Sequence, residues 1–291
     1  MNKISLFLMS EKGHTVLSGL IRESLSGLIE SVILARDPNV ERDFYAEIKQ
    51  LCEEQKIPCF DKEEGFVIHS KYSFAVSWRW MLNTGNESII FHDSLLPKYR
   101  GFSPLVNMLI NGEKTIGVTA HFAASAYDSG GIILQRSLPV RYPLKISQAI
   151  KDIAVLYSDL AIEIAKAIRV NDRLPSIPQD EKKVSYSLWR DEDDYWIDWS
   201  ASSARVKRFI DAVGHPYKGA MTTLEKKLVR ILDAEVVEDV PIENRSPGKV
   251  VFLREGFPVV LCGEGMIKIK TLLDEKNRSL LPLMKLKTRF A

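Results

Sequence analysis

Phe91-His92-Asp93-Ser94-Leu95-Leu96-Pro97-Lys98-Tyr99-Arg100-Gly101 is the stretch from which the fold of this chain can be read. The apolar residues leading into it, Ile89 to Phe91, have the character of a buried strand. Pro97 and Gly101 break regular structure, so the strand gives way to a loop of fixed shape. In an open parallel sheet, the loops at the carboxyl ends of the strands build the site. His92 therefore stands where chemistry is expected.

Upstream, short apolar runs at Ile4 to Met9, Ser31 to Ala35 and Phe74 to Ser77 read as strands. Between them, His14 to Ile29 and Asp43 to Gln55 carry apolar residues at helical spacing. This alternation predicts an α/β domain with a doubly wound, mainly parallel sheet covered on both faces. The turn after the first strand, Ser10-Glu11-Lys12-Gly13-His14, lacks the G-x-G-x-x-G pattern, which excludes an ordinary dinucleotide site and makes Gly13 a tight-turn glycine.

Downstream, Val118 to Phe122 and Ile132 to Arg136 read as two strands joined by a loop that holds Asp128. Gly130 and Gly131 allow close backbone approach or positive φ there, and adjacent sheet loops would bring Asp128 toward His92. Taken singly, His92 reads as a core or surface histidine and Asp128 as a turn aspartate before Ser-Gly-Gly. Their pairing makes them candidates. His121, within a strand pattern, reads as structural.

A long helix is expected over Ile146 to Ile168. Pro175, Pro178 and the charged run Asp180 to Lys183 then mark the end of a first domain. The boundaries read as 1–183 for that domain, 184–203 for a linker and 204–291 for a second domain. Trp189 to Asp194 reads as a solvated acidic surface. After a helix over Ala201 to Val213, strands are expected at Ala220–Leu224, Leu228–Val237, Gly248–Leu253, Val259–Cys262 and Met266–Leu272. Five short strands at this spacing fit a small β-barrel of OB type.

Over 291 residues, 40 Lys and Arg face 38 Asp and Glu, a net charge of +2 that gives no electrostatic reason for a nucleic-acid or membrane partner. The three cysteines, Cys52, Cys59 and Cys262, lack metal-ligand spacing and fit a reducing compartment. The apolar start is interrupted by Glu11 and Lys12, too early for a signal peptide, so a cytoplasmic protein is expected.

The pattern His92-x-Ser94-Leu95-Leu96-Pro97-x-x-x-Gly101, followed by Gly117-Val118-Thr119 and a loop with Asp128-x-Gly130, resembles the signature of 10-formyltetrahydrofolate-dependent formyltransferases. That family includes methionyl-tRNA formyltransferase, glycinamide ribonucleotide formyltransferase and sugar-nucleotide N-formyltransferases. Ile197-Asp198-Trp199, Pro216-Tyr217, Pro247-Gly248 and Gly263-Glu264-Gly265 extend the likeness into the second domain. The resemblance implies an N-formyltransferase with 10-formyltetrahydrofolate as donor and no metal. It implies that His92 polarises the formyl oxygen or shuttles the proton, and that Asp128 holds His92 and takes charge as the amine deprotonates. It implies that Trp78, Arg79 and Trp80 cover the pterin, with Ser94, Leu95, Leu96, Pro97 and Gly101 framing the folate. Trp78 and Trp80, two apart, would share one face if they lay in a strand. Lys98 and Arg100 read as phosphate contacts or as solvated charges.

One departure bears on the chemistry. The family's asparagine falls two residues before the histidine, where this chain has Ile90. Loss of one oxyanion donor costs about 10²–10³ in rate, and Asn83, Asn86 and Asn107 are the spatial substitutes to examine. The near-neutral charge favours a nucleotide-linked amino sugar over tRNA as the amine acceptor. Methionyl-tRNA formyltransferase and a non-catalytic folate- or nucleotide-binding homologue are the alternatives, and the resemblance allows a homodimer.

Overall fold

The computed structural model describes residues 2–38, 40, 42–82, 85–171 and 173–291. The chain divides into two compact units: residues 1–105, 115–139 and 149–188 form one, and residues 106–114, 140–148 and 189–291 the other.

In chain order, the first unit starts with β1 (Ile4–Leu8), α1 (Ser10–Arg22), β2 (Ile29–Leu34), α2 (Tyr45–Glu54), β3 (Cys59–Asp61), β4 (Tyr72–Val76) and β5 (Glu87–His92). It continues with β6 (Arg100–Gly101), α3 (Pro104–Asn111), β7 (Thr115–Phe122), β8 (Ile132–Pro139), α4 (Ile146–Val170) and β9 (Tyr186–Ser187); α3 and the first turn of α4 run partly in the second unit. Seven strands form one sheet in the order β3-β2-β1-β4-β5-β7-β8. The five from β3 to β5 are parallel, while β7 runs antiparallel to both β5 and β8. Strand β1 is buried on every residue, as a central strand covered on both faces must be. The strand order reverses between β1 and β4, and the carboxyl ends of these strands meet there through Ser10 Oγ and Ser77 Oγ at 3.1 Å.

Two expectations about the start of the chain need correction. Helix α1 begins at Ser10 and ends at Arg22, not at Ile29, because Ser24 takes left-handed φ and its N–H closes on Ile21 O. Ile29 then opens β2. Gly13 is not a turn residue: it lies inside α1, where an added Cβ would come within 3.0 Å of the Leu8 Cβ. The helix α3 went unread in the sequence.

The second unit holds α5 (Ser203–Val213), N-capped by Ser202 Oγ, and the strands β10 (Ala220–Leu224), β11 (Lys227–Val237), β12 (Val250–Arg254), β13 (Phe257–Leu261) and β14 (Met266–Asp274). The acidic run from Asp191 is a capped 3₁₀ turn whose Glu192 pairs with Lys218 and Arg230. All five strands pair antiparallel in the order β10-β11-β14-β13-β12. Among the described residues no ladder joins β10 to β12, so this is an antiparallel sheet without a closed barrel. The C-terminal residues bridge its two edges, Phe290 to Leu224 and Arg289 to Lys249.

Among the described residues, no helix is long and apolar enough to cross a membrane.

Candidate active site

The carboxyl ends of β4 and β5 carry the residues singled out in the sequence. His92 is the last residue of β5 and is buried. Its Nε2 donates to the Tyr99 carbonyl at 2.8 Å, and its Nδ1 lies 3.6 Å from Asp128 Oδ2. The predicted pairing of His92 with Asp128 is therefore present in the fold.

The route by which they meet differs from two loops side by side. Because β7 opposes β5, its end, Phe122, pairs with Ile89, three residues back from His92. The connection from β7 to β8 folds back over the sheet face to deliver Asp128. That return brings backbone against backbone at Gly130, where a Cβ would sit 1.7 Å from Phe122 O, while one on Gly131 would sit 2.7 Å from the Ser176 side-chain Oγ. Gln179 Nε2 clamps the loop by donating to Asp128 O at 2.7 Å and Gly130 O at 2.8 Å. Asp128 itself has φ +50°, the left-handed region that aspartate tolerates better than most residues.

Gly101 is a backbone donor. Its N–H reaches Asp128 Oδ2 at 2.8 Å, while its φ of +101° and the Ser187 carbonyl, 2.7 Å from where a Cβ would stand, require glycine. The other carboxylate oxygen of Asp128 faces His121 Nε2 at 3.4 Å. Burial pushes the Asp128 carboxyl up, yet the His121 contact, the charge on His92 and the Gly101 N–H outweigh it and hold the group below the usual aspartate range. Sequence reading missed His121 and Gln179. The signal for His121 was the alternation Thr119, His121 along β7, which has meaning only once the strand is registered against β5.

The loop after β5 spends its polar groups on its own shape. Ser94 Oγ donates to Lys98 O at 2.7 Å, and Thr119 Oγ1 donates to Ser94 O at 2.6 Å. Leu96 N donates back to Thr119 Oγ1 at 3.0 Å, and Gln135 Nε2 donates to Leu96 O at 2.9 Å. Ser94 and Leu96 are buried, whereas Leu95 and Pro97 are half-buried. Arg100 is not a solvated charge: it is buried and bound by Glu181 and Gln179. Lys98 is exposed.

Trp78, Arg79 and Trp80 follow β4 as a loop, not a strand, so the shared-face argument does not apply. Their indoles meet edge to face at 5.1 Å, Lys62 lies over Trp80 and Arg79 pairs with Asp37. Trp78 Nε1 is buried without a hydrogen-bond partner among the described residues. A buried N–H of this kind is costly unless something accepts from it.

Ile90 sits directly opposite His121 in the β5–β7 ladder. Of the asparagines considered as substitutes, Asn83 lies outside the described residues. Asn86 is committed to Ser70 O and Ser73 Oγ, and Asn107 accepts from Arg190 within the second unit. No group of three or more potential metal ligands occurs among the described residues. A cavity of about 410 Å³ is lined by Leu82, Asn86, Glu87, Ser88, Phe122 and Ala123, toward the opposite end of β5 from His92.

Comparison with known proteins matches two stretches of the chain. Residues 59–154 match the formyl transferase family, and residues 190–282 match the formyl transferase C-terminal domain. Methionyl-tRNA formyltransferase from Carboxydothermus hydrogenoformans is 32% identical over 191 residues, which cover 65% of this chain and 60% of that protein. The chain thus matches less than two thirds of that relative's length. The crystal structure of an N-formyltransferase from Helicobacter canadensis, in complex with folinic acid and dTDP-3-aminofucose, aligns with a TM-score of 0.69 at 18% identity, covering 93% of this chain and 99% of that one. HypX from Aquifex aeolicus, in complex with tetrahydrofolic acid, aligns with a TM-score of 0.64 at 19% identity over 96% of this chain and 45% of that one. At such identities the likeness to the two solved structures is one of fold.

Proposed function

From the premise that the chain belongs to the formyltransferase family, matched in both its N-terminal and C-terminal modules, we propose that it transfers a formyl group from 10-formyltetrahydrofolate to an amine. The observation that carries this reading is Asp128, folded back across β7 and held by the Gly101 N–H beside His92.

The donor supplies an electrophilic formyl carbon. His92, released from the Tyr99 carbonyl, has an N–H to give to the formyl oxygen as negative charge develops there. Asp128, ionised below the usual range, fixes the ring and compensates its charge when the amine gives up a proton. The resemblance puts the pterin against the loop after β4, and the partly exposed Trp80 ring there supports that placement as apolar cover. Leu95 and Pro97 form the half-buried wall beside it, while Ser94 and Leu96 stabilise the loop from behind. The unit around His92 is the catalytic module, within 1–183. Residues 204–291 form the second module, and the OB-type reading there rests on the bridges from Phe290 and Arg289 to the two edges of an open sheet.

The acceptor we propose is a nucleotide-linked amino sugar, supported by the net charge of +2 and by the similar fold of the Helicobacter canadensis enzyme. A second reading, methionyl-tRNA as acceptor, is favoured by the curated relatives in sequence. The reaction would take place in the cytoplasm. Formyl transfer from 10-formyltetrahydrofolate to dTDP-linked amino sugars and to charged initiator tRNA, with His92→Ala as control, decides between them. Product with the sugars, lost in the variant, supports the preferred reading. Product with tRNA alone supports the second. Tight folate binding without any product favours a non-catalytic binder or a different acceptor, and makes Ile90→Asn the next variant to assay.

A further inference from the structure

His121 shares the Asp128 carboxylate with His92, and nothing in the motif assigns it a part. Its side chain is 2% exposed, against 8% for His92 and 14% for Asp128. His121 is therefore the innermost member of the three, behind the pair His92 and Asp128. Ile90 and His121 are opposite each other in the ladder, as are His92 and Thr119, so all four side chains stand on one sheet face.

The hydrogen-bond partners define what the two rings can do. A carbonyl oxygen only accepts, so His121 Nδ1–H donates to Phe122 O at 2.8 Å and His92 Nε2–H donates to Tyr99 O at 2.8 Å. The ring nitrogens left over, His121 Nε2 and His92 Nδ1, face the two oxygens of Asp128 at 3.4 Å and 3.6 Å. A bare nitrogen lone pair against a carboxylate oxygen is repulsive in a buried site, so a proton placed in either gap is stabilised. Both gaps are longer than an ordinary hydrogen bond, so neither contact is closed in this geometry. The surroundings contribute further charges: Tyr157, Asp93 and Lys12 lie beyond the carboxylate, and Tyr157 senses the charge of Asp128.

We propose that His121 is a positioning and proton-sharing residue, which makes Asp128 a carboxylate with a proton site on each side. The proposal rests on the formyl-transfer reading. In that reaction a bond forms between the amine nitrogen and the formyl carbon. The bond from that carbon to the donor nitrogen breaks, and its electron pair stays on that nitrogen. One proton leaves the amine and one reaches the donor nitrogen. The cluster takes the first and returns the second, and His121 lets it do so without leaving Asp128 uncompensated while His92 is turned toward the substrate. In this chain the apolar Ile90 leaves the place beside His121 without another polar group from β5.

The test compares His121→Phe and His121→Gln with the parent enzyme, using formyl transfer to whichever amine the parent accepts. We expect kcat to fall about 10–100-fold in His121→Phe, less than the roughly 10²–10⁴-fold of a group that exchanges a proton with the substrate itself, with KM for the formyl donor within about twofold and the acid limb of the kcat profile displaced. His121→Gln, which can still donate to Asp128, should recover part of the rate and not the parent pH profile. Parent-like kcat and pH profile in both variants would overturn the proposal. Imidazole ¹⁵N titration of the parent and of Asp128→Asn reads the cluster without any assay. Titration of His121 that shifts in Asp128→Asn supports shared protons, and titration that does not shift refutes them. If the parent transfers no formyl group, the functional reading fails, and the ¹⁵N titration still decides the cluster.

Discussion

His92 and Asp93 are neighbours in sequence and belong to two opposite kinds of polar cluster. Asp93 receives the Tyr157 hydroxyl on one oxygen and the Lys12 ammonium on the other, both in very close contact, and the Tyr157 oxygen lies 3.0 Å from Phe91 O. Burial and the Asp93 carboxylate push the Tyr157 hydroxyl well up from its ordinary value. Both oxygens of Asp93 have partners there, and the result is a rigid post under the end of β5. Around Asp128 the distances are 3.4 Å and 3.6 Å, and His121 Nε2 has no formed hydrogen bond among the described residues. A saturated network fixes position, whereas an unsaturated one retains the capacity to exchange a proton or accept a ligand. The two clusters should therefore respond to mutation in opposite currencies, rate for one and stability for the other.

The largest expected effect tests the unsaturated side. His92→Ala should lower kcat for formyl transfer about 10²–10⁴-fold, with a thermal midpoint close to the parent; a midpoint that falls with the rate would place His92 in the structural class. Asp128→Asn should cost somewhat less, about 10²–10³-fold, measured in the same assay. The same variant carries a stability signature. The folded carboxyl lies below its unfolded value, so its contribution is present above the unfolded pKa and disappears as pH falls through the folded one. Denaturation of Asp128→Asn should thus show less loss of stability on the acid side, below about pH 4.

Ile90→Asn sharpens the comparison from the other direction, by adding a polar group to the unsaturated side. If the pocket is otherwise intact, transfer should rise about tenfold or more, toward the value of one oxyanion donor; no gain would mean that the site has been reorganised around Ile90. The smallest effect on rate belongs to the saturated side. Lys12→Met should change kcat only a few-fold and lower the unfolding free energy by about 1–3 kcal/mol, read by denaturant melts. A large fall in kcat with unchanged stability would abolish the distinction between the clusters.

Much of this arrangement was legible from local chemistry. The strand ending at His92, the breakers Pro97 and Gly101, and the Gly130-Gly131 pair could be read because each property belongs to the residue itself. His121 was not legible in that way: whether it is a core histidine or a partner of Asp128 depends on which residue of β5 it opposes. The end of α1 was misread for a similar reason, since Leu25 and Ile29 continue the helical spacing although Ser24 has already reversed the chain. Trp78 and Trp80 misled through an assumed strand, and Arg100 through the absence of Glu181 from any local window. A barrel was inferred from five strand-like runs, but closure is a property of edges, and here the edges meet only through the bridges to Arg289 and Phe290.

The antiparallel pairing of β5 and β7 has a consequence for how such a site can change over time. Side chains alternate along a strand, so an insertion or deletion of one residue before His121 would exchange Thr119 and His121 for their neighbours on that face. A change of two would preserve the parity and only slide the pattern. Length change is thus filtered by odd and even inside β7, whereas the turn between α3 and β7 can absorb it without moving the register.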